Sequence, residues 1–539
     1  MAFHCVNCNG SMVFDVEQQL MRCEHCGSTC EPGDFAFRDQ GIAQADGTSA
    51  DAGRIARFTC QNCGAELEGT EESVVGFCPY CGGQSMVASA SKSRPAERII
   101  PFKVSRQQCA ELYQNYAKGV RYLPKDFKDP EHIQKATGIY MPFYQYDAYF
   151  GNACIKGKKT VVSTSRYDEI AYYDTEGQVD ALYERGVTFD ASKYLDDQTS
   201  ALVLPFDSAD EQPFYPAYLS GFYADASSVD PGLYYDDATA RAEQDMADAM
   251  GMQIRSDYGI SQQPGSKVDT NITRFHSVLY PMWFITWRKD DRVAYAVVNG
   301  ESGKVVSDLP LDLKSFAIGS VIITAVVFLL LELFLQPTPM LTSFISLAGA
   351  IFMAMGIRMG VTREYEQQSH ANDKGWAGED DDPNMDPEAR EKARAKAQRQ
   401  KQRREIGTTM GLVLGFGIAL SVAFSFIKGG SNNNGIIVAL KYLLPIVTLI
   451  YGITVLVRTL RWRQYLGRNY ALIAVAVLMV TVIINSIITI IAPVNDGWYY
   501  IGDAICIVGL VLASIFMLRM YNLSTTRPLP KLFDRKEVQ

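Results

Sequence analysis

CQNCGAELEGTEESVVGFCPYCGG, residues 60–83, repeats the punctuation of CVNCNGSMVFDVEQQLMRCEHCG, residues 5–27. In each stretch a Cys-x-x-Cys pair, 14 intervening residues and a second Cys-x-x-Cys pair supply four thiolates, the number that closes a tetrahedral zinc shell. Cys5, Cys8, Cys23 and Cys26 are expected to hold one structural Zn2+, and Cys60, Cys63, Cys78 and Cys81 a second. A unit of about 25 residues buries too little apolar surface to offset its own ordering entropy, so the metal has to serve as its core. Four sulfur ligands leave no open coordination position, which argues against catalysis at either ion. His4, His25 and Cys30 lie near enough to substitute, but a full set of thiolates leaves them no place. Gly27, Gly64, Gly82 and Gly83 follow cysteines, where a knuckle turning its amides toward sulfur needs positive φ. The expectation is two zinc ribbons, residues 1–30 and 58–92, joined by a flexible linker, 31–57, that lets them move as separate heads.

The rest of the chain is far larger than these modules. It has 539 residues, 21% of them charged, and a formal charge of -9. The start, MAFHCVNCNG, lacks a basic region followed by an apolar one, so no cleavable signal peptide is expected. From Phe316 onward long apolar runs dominate, and six segments read as spans: 316–335, 340–357, 408–427, 436–457, 470–492 and 498–518. They form a helical hairpin, 316–357, and a four-helix group, 408–518, separated by a charged linker and helix, 358–407, and followed by a tail, 519–539. Residues 358–407 carry eleven Lys or Arg, 458–469 four and the tail five, whereas the alternate connections together carry only Lys428. That asymmetry predicts a multi-pass protein of the cell membrane with both termini in the cytoplasm. In that reducing compartment paired cysteines bind metal rather than form disulfides. Glu332, Lys441 and Asp503 are the ionisable residues within the apolar segments, all near the outer surface in this topology. They form a candidate intramembrane polar site or simply reach headgroup water.

Residues 95–312 alternate helical and strand signals, as in an α+β domain. Ser105 opens a helix through about Lys118, Asp129 and Pro130 a short second one, Asp237 a third through about Met250, and VNGESGKV closes a hairpin. That last loop is no phosphate-binding loop, because Val298 and Val305 replace the required glycine and hydroxyl residues. His132 and His276 have no evident nucleophile beside them, and no enzymatic constellation emerges. The fold class expected is therefore multidomain: two four-cysteine zinc ribbons, an α+β cytosolic domain and an all-α six-helix transmembrane region.

The ribbon followed by RIIPFKVSRQQCAELYQNYAKG, LPKDF, GIYMPFYQYDA, YPAYLSGFYAD, LYPMWFITW and VNGESGKVV resembles a bacterial family of TFIIB-type zinc-ribbon proteins, often labelled replication factor Y-like. The similarity covers about residues 60–310; the doubled ribbon and the helical tail depart from single-ribbon members. The helicase label has no support in this chain, which shows no Walker motif. The resemblance implies anchoring or recruitment of SPFH-type and phage-shock-like proteins at the membrane. Residues 1–94 carry six Lys or Arg against twelve Asp or Glu, an acidic balance that repels phosphate and disfavours nucleic acid as a partner. The function expected is a membrane-anchored scaffold that recruits protein partners at the cytoplasmic face of the bilayer, with no small-molecule substrate identified. The rivals are a transporter or channel regulated by its ribbons, and a membrane tether for nucleic acid.

Overall fold

The computed structural model describes residues 3–34, parts of 56–89, 96–334 and 339–368 with short gaps, 373–377, and, with gaps, 449–528. The first cysteine module folds as a three-stranded antiparallel sheet: β1 Met12–Asp15, β2 Leu20–Cys23 and β3 Thr29–Cys30. The second supplies β4 Ala56–Cys60, β5 Glu66–Gly69 and β6 Met86–Ser89, with β5 and β6 flanking β4. These three belong to a mixed sheet of thirteen strands among the described residues. The expected separation into free heads is therefore corrected. β5 pairs with β11, Tyr223–Asp225, through Leu67 opposite Asp225, and β11 in turn runs parallel to β8. Backbone hydrogen bonding is thus continuous from a strand of the second cysteine module into the main sheet.

The centre of that sheet is β8, Thr137–Ser163, between β9, Asp168–Asp190, and β13, Lys267–Lys289. β13 shows why LYPMWFITW reads as one apolar run. Leu279, Trp283, Ile285 and Trp287 face one core while Val278, Tyr280, Met282 and Phe284 face another, so a period-two strand is buried on both sides. The first core is closed by helix α1, Arg106–Gly119, through Cys109, Tyr113 and Ala117, and by Phe3, Met12, Phe14 and Met21 of the first ribbon. The second is closed by Leu195 and by Val203 of α2, Asp197–Val203. Helix α3, Tyr235–Tyr258, lays Ala238, Ala242 and Ala247 over Tyr146, Phe150 and Val268. Local chemistry explains the helix ends. Ser105 and Gln108 form a reciprocal capping box at α1, and Gly259, at φ +67°, terminates α3 in the left-handed region. The VNGESGKV hairpin forms as expected, β14 Arg292–Asn299 pairing with β15 Val305–Ser307.

Four long helices follow: α4 Leu313–Phe334, α5 Pro339–Gln368, α6 Tyr470–Ile491 and α7 Gly497–Ser524. Here the six-helix transmembrane expectation is overturned. Among the described residues two helices are long and apolar enough to cross a membrane, Tyr470–Ile488 within α6 and Gly497–Ser524, with mean hydropathy 2.7 and 2.4. In α4 the apolar stretch counted among the described residues is Leu313–Val327, short of a span by itself, while the sequence stays apolar through FLLLELF, 328–334. In the described part of α5, Ile357 and Val361 are buried against Ala471, Ala474 and Val475 of α6 and Met520 of α7, whereas Phe352 and Met359 are exposed and Arg358, Arg363 and Glu364 share its second half. The segment 408–427, most of 436–457, the linker from 378 and the tail beyond 528 lie outside the described residues.

The helices are tied to the sheet at one end. Asn522 of α7 exchanges two hydrogen bonds with the backbone of Leu311, at 2.8 and 2.9 Å, just ahead of α4. Arg292 of β14 donates to Leu523 O at 2.6 Å, to Thr526 Oγ1 at 2.7 Å and to Thr526 O. Arg527 and Pro528 form a last strand, β16, on the edge of β14. Arg292→Ala removes all three side-chain bonds and leaves carbonyls without their charged donor, for about 1.5–3 kcal/mol. The variant is expected to unfold at lower temperature in detergent, with earlier proteolytic release of the segment after Ser524; an unchanged midpoint would show that the junction contributes nothing.

Candidate metal centre

Two loops of the same build form the first centre. In one, Cys5 N donates to Gly10 O at 2.8 Å and Asn9 N to Cys5 O at 2.8 Å; in the other, Cys23 N donates to Ser28 O at 2.9 Å and Gly27 N to Cys23 O at 3.0 Å. The residue after the second cysteine turns left-handed in both, Asn9 at φ 57° and Gly27 at φ 74°. Asn and Gly are the residues that take this conformation at least cost, which is why they stand there. The turns aim four sulfurs at one point, all within 4.8 Å of one another, with Cys5 Sγ 3.5 Å from Cys26 Sγ and Cys8 Sγ 3.4 Å from Cys23 Sγ. Sulfurs ~2.3 Å from a tetrahedral zinc stand ~3.8 Å apart, so the donor set and its size fit the ion. His4 lies outside the shell, its Nδ1 3.1 Å from Asn9 O.

Charge makes the same demand. The Ser28 hydroxyl and amide bring the Cys26 thiol down to about 6. The Gly10 amide favours a Cys8 thiolate as well, yet the adjoining Cys26 and Cys23 sulfurs push Cys8 up to about 12. A cation between the sulfurs would favour the deprotonated form of all four, Cys8 included.

The second module repeats the key bond where it is described: Cys60 N donates to Ala65 O at 2.9 Å, the same spacing as Cys5 to Gly10. Cys60 and Cys78 are fully buried together with Ala65. Cys63 and Cys81 lie outside the described residues, so the structure brings together one complete set of four and half of the other. Of the intramembrane candidates, Asp503 is buried on α7, while Lys441 and the Glu332 side chain lie outside the described residues.

Each module is fastened to the sheet through the same stretch, residues 215–226. Phe14 N donates to Ser220 O at 3.1 Å, Ser220 Oγ donates to Met12 O, and the Phe14 ring meets Tyr218 edge-on at 5.1 Å. From the second module, Tyr80 enters the core and donates to Asp225 Oδ2 at 2.8 Å, where Ser192 Oγ also donates. Its ring lies 5.6 Å from Tyr194 and 5.7 Å from Phe284. Neither anchor was visible in the cysteine spacing. The one signal for Tyr80 is its size, since a Cys-x-x-Cys turn needs no large aromatic residue. Burial raises the Asp225 carboxyl to about 7 against the pull of Ser192, Tyr80 and the Ala226 amide. A buried brace lies deeper in the sheet. His276 reaches Glu97 at 3.1 Å and Asp147 at 3.0 Å, while Arg98 and Arg185 hold Glu211 at 3.0 and 2.8 Å.

Comparison with known proteins adds one distant relative. The chain is 24% identical over 323 residues to a Bacillus subtilis (strain 168) protein described as uncharacterized protein YdjG, an alignment covering 58% of this chain and 91% of the relative. No family model and no solved structure matches.

A Cβ at Gly10 would stand 3.0 Å from His25 Cβ, 3.3 Å from Cys8 Sγ and 3.4 Å from Cys23 Sγ. Gly10→Ala is expected to weaken zinc retention by about tenfold, a typical loss when a ligand's support is disturbed; competition with a chromophoric chelator reads it. Tyr80→Phe strips one donor from a buried carboxyl and is expected to cost about 1–3 kcal/mol, seen as a lower unfolding midpoint with metal content unchanged. Asp225 holds a proton in the folded state that the unfolded chain loses above ~3.9, so its contribution falls as pH rises from ~4 to ~7 and is level beyond. Relative to Asp225→Asn, the natural protein should lose on the order of 4 kcal/mol across that window, measured by denaturant unfolding at successive pH values.

Proposed function

We propose that this chain is a non-enzymatic, membrane-anchored docking platform whose zinc ribbons present a rigid surface to protein partners in the cytoplasm. The observation that carries the reading is the closed four-sulfur cluster built onto a sheet that is itself bonded to the apolar helices. Ribbons held in this way act as shaped surface, since a complete thiolate shell has no position for substrate. Two Zn2+ ions per chain follow from extending the first module's geometry to Cys60, Cys63, Cys78 and Cys81.

Sidedness rests on charge and on the junction. The start of α4 and the ends of α5 and α7 lie together against the sheet, through Leu311, Arg363 paired with Asp308, and Arg292 with Thr526. Arg358 and Arg363 of α5 and Arg519 and Arg527 lie in the described part of that end, and the sequence carries eleven basic residues in 358–407 and five in the tail, the pattern that marks a cytoplasmic side. The class of partner comes from the resemblance: membrane-associated assembly proteins of the SPFH and phage-shock type.

The test combines cross-linking in intact cells with a double substitution, Cys60→Ser with Cys63→Ser, in the full chain. Expected is loss of specifically cross-linked protein partners with membrane fractionation unchanged. Full retention of the same partners would overturn the docking role, and labelling of an N-terminal tag from outside intact cells would overturn the orientation.

A further inference from the structure

Where the sheet meets the ends of α5 and α7 there is a cleft of about 650 Å3, counting its solvent-open mouth. Two ion pairs line it. Arg527 of β16 holds Asp196, the N-cap of α2, and Arg363 of α5 holds Asp308, which follows β15. All four side chains remain 24–39% exposed, and Arg527 also lies over the Tyr295 ring at 4.7 Å. Each guanidinium has five N–H donors and directs one recorded hydrogen bond to its carboxylate, leaving donors for a further oxygen ligand. Ser307 of the cleft wall has a buried Oγ with no hydrogen-bond partner among the described residues. An apolar wall is supplied by Leu202, Val293 and Val306.

We infer that this cleft is a binding site for a zwitterionic phosphodiester carrying a primary ammonium, the chemistry of a phosphoethanolamine headgroup. Two guanidiniums meet the phosphate oxygens, the Asp308 carboxylate meets the ammonium, and the Ser307 hydroxyl donates to an oxygen of the ester, while Asp196 stays held by Thr199 N at 3.0 Å and Tyr295 Oη at 2.9 Å. The formal charge of the two arginines and two aspartates is zero, which favours a ligand bearing both signs over a simple anion. Position gives the source. Thr525 and Arg527 in the cleft wall follow the last residue of the apolar helix Gly497–Ser524 by one and three positions, at the depth where headgroups lie if that helix spans. The lipid source rests on the membrane reading above; the headgroup chemistry does not.

The purified full chain in detergent micelles is titrated with phosphatidylethanolamine, phosphatidylglycerol or phosphatidylcholine, and in parallel with soluble glycerophosphoethanolamine, while unfolding midpoint and native mass are recorded. Expected is one retained phosphatidylethanolamine and a higher midpoint, with weaker effects from the other two lipids. Ser307→Val should weaken the apparent affinity about tenfold while leaving the lipid-free midpoint near that of the natural chain; Arg363→Gln, which also unpairs Asp308 at the junction, should lower the lipid-free midpoint and reduce the lipid-induced shift measured from that lower baseline. A matching response to glycerophosphoethanolamine alone, by a chain soluble without detergent, keeps the site and overturns the membrane source. Equal stabilisation by all three lipids, or an undiminished response in both variants, overturns the site and leaves the membrane reading standing.

Discussion

Four sulfurs converging within 4.8 Å are the constraint on which the amino-terminal part of this protein depends. Loops of this length have too few apolar side chains to hold a shape, and like-charged thiolates drive them apart unless a cation lies between them. Once closed, the first module presents Phe3, Met12, Phe14 and Met21 as a ready apolar face, and that face completes the core around Phe102, Tyr140 and Trp283. Any metal bound by the four sulfurs would therefore be coupled through this face to the main core. The second module is joined more tightly, by strand pairing through β11 and by Tyr80 seated on Asp225.

One consequence is mechanical. A pull on either ribbon acts on residues 215–226, which connect to β8, and β8 is bonded along most of its length to β13. At its other end β13 turns into β14, whose Arg292 grips the end of α7. Hydrogen-bonded backbone and buried side chains thus connect the cysteine modules to the apolar helices through the described elements. The proposed docking platform would on this build transmit orientation rather than reach by mobile heads.

Features governed by short-range chemistry were legible in the sequence. Cys-x-x-Cys spacing follows from the reach of one metal ion, the Ser105 to Gln108 box from helix-end hydrogen bonding, and the VNGESGKV turn from two flanking β-branched runs. What depended on distant neighbours was not. β5 meets β11 more than 150 residues later, and no local pattern in ELEG announces it. β8 and β9, at 27 and 23 residues, read as separate short strands because lysines and acids interrupt their apolar pattern beyond Gly157. Hydropathy registers that a segment is apolar but not whether lipid or a neighbouring helix covers it, and at α5 the described Ile357 and Val361 are covered by α6 and α7.

The measurement that bears most directly on this account is the zinc content of the full chain, purified without added metal or chelator and determined by elemental mass spectrometry against protein concentration. Two ions per polypeptide, held through extensive dialysis, are predicted. Less than one would mean that the paired cysteines are not metal-held cores, and the platform built on them could not stand.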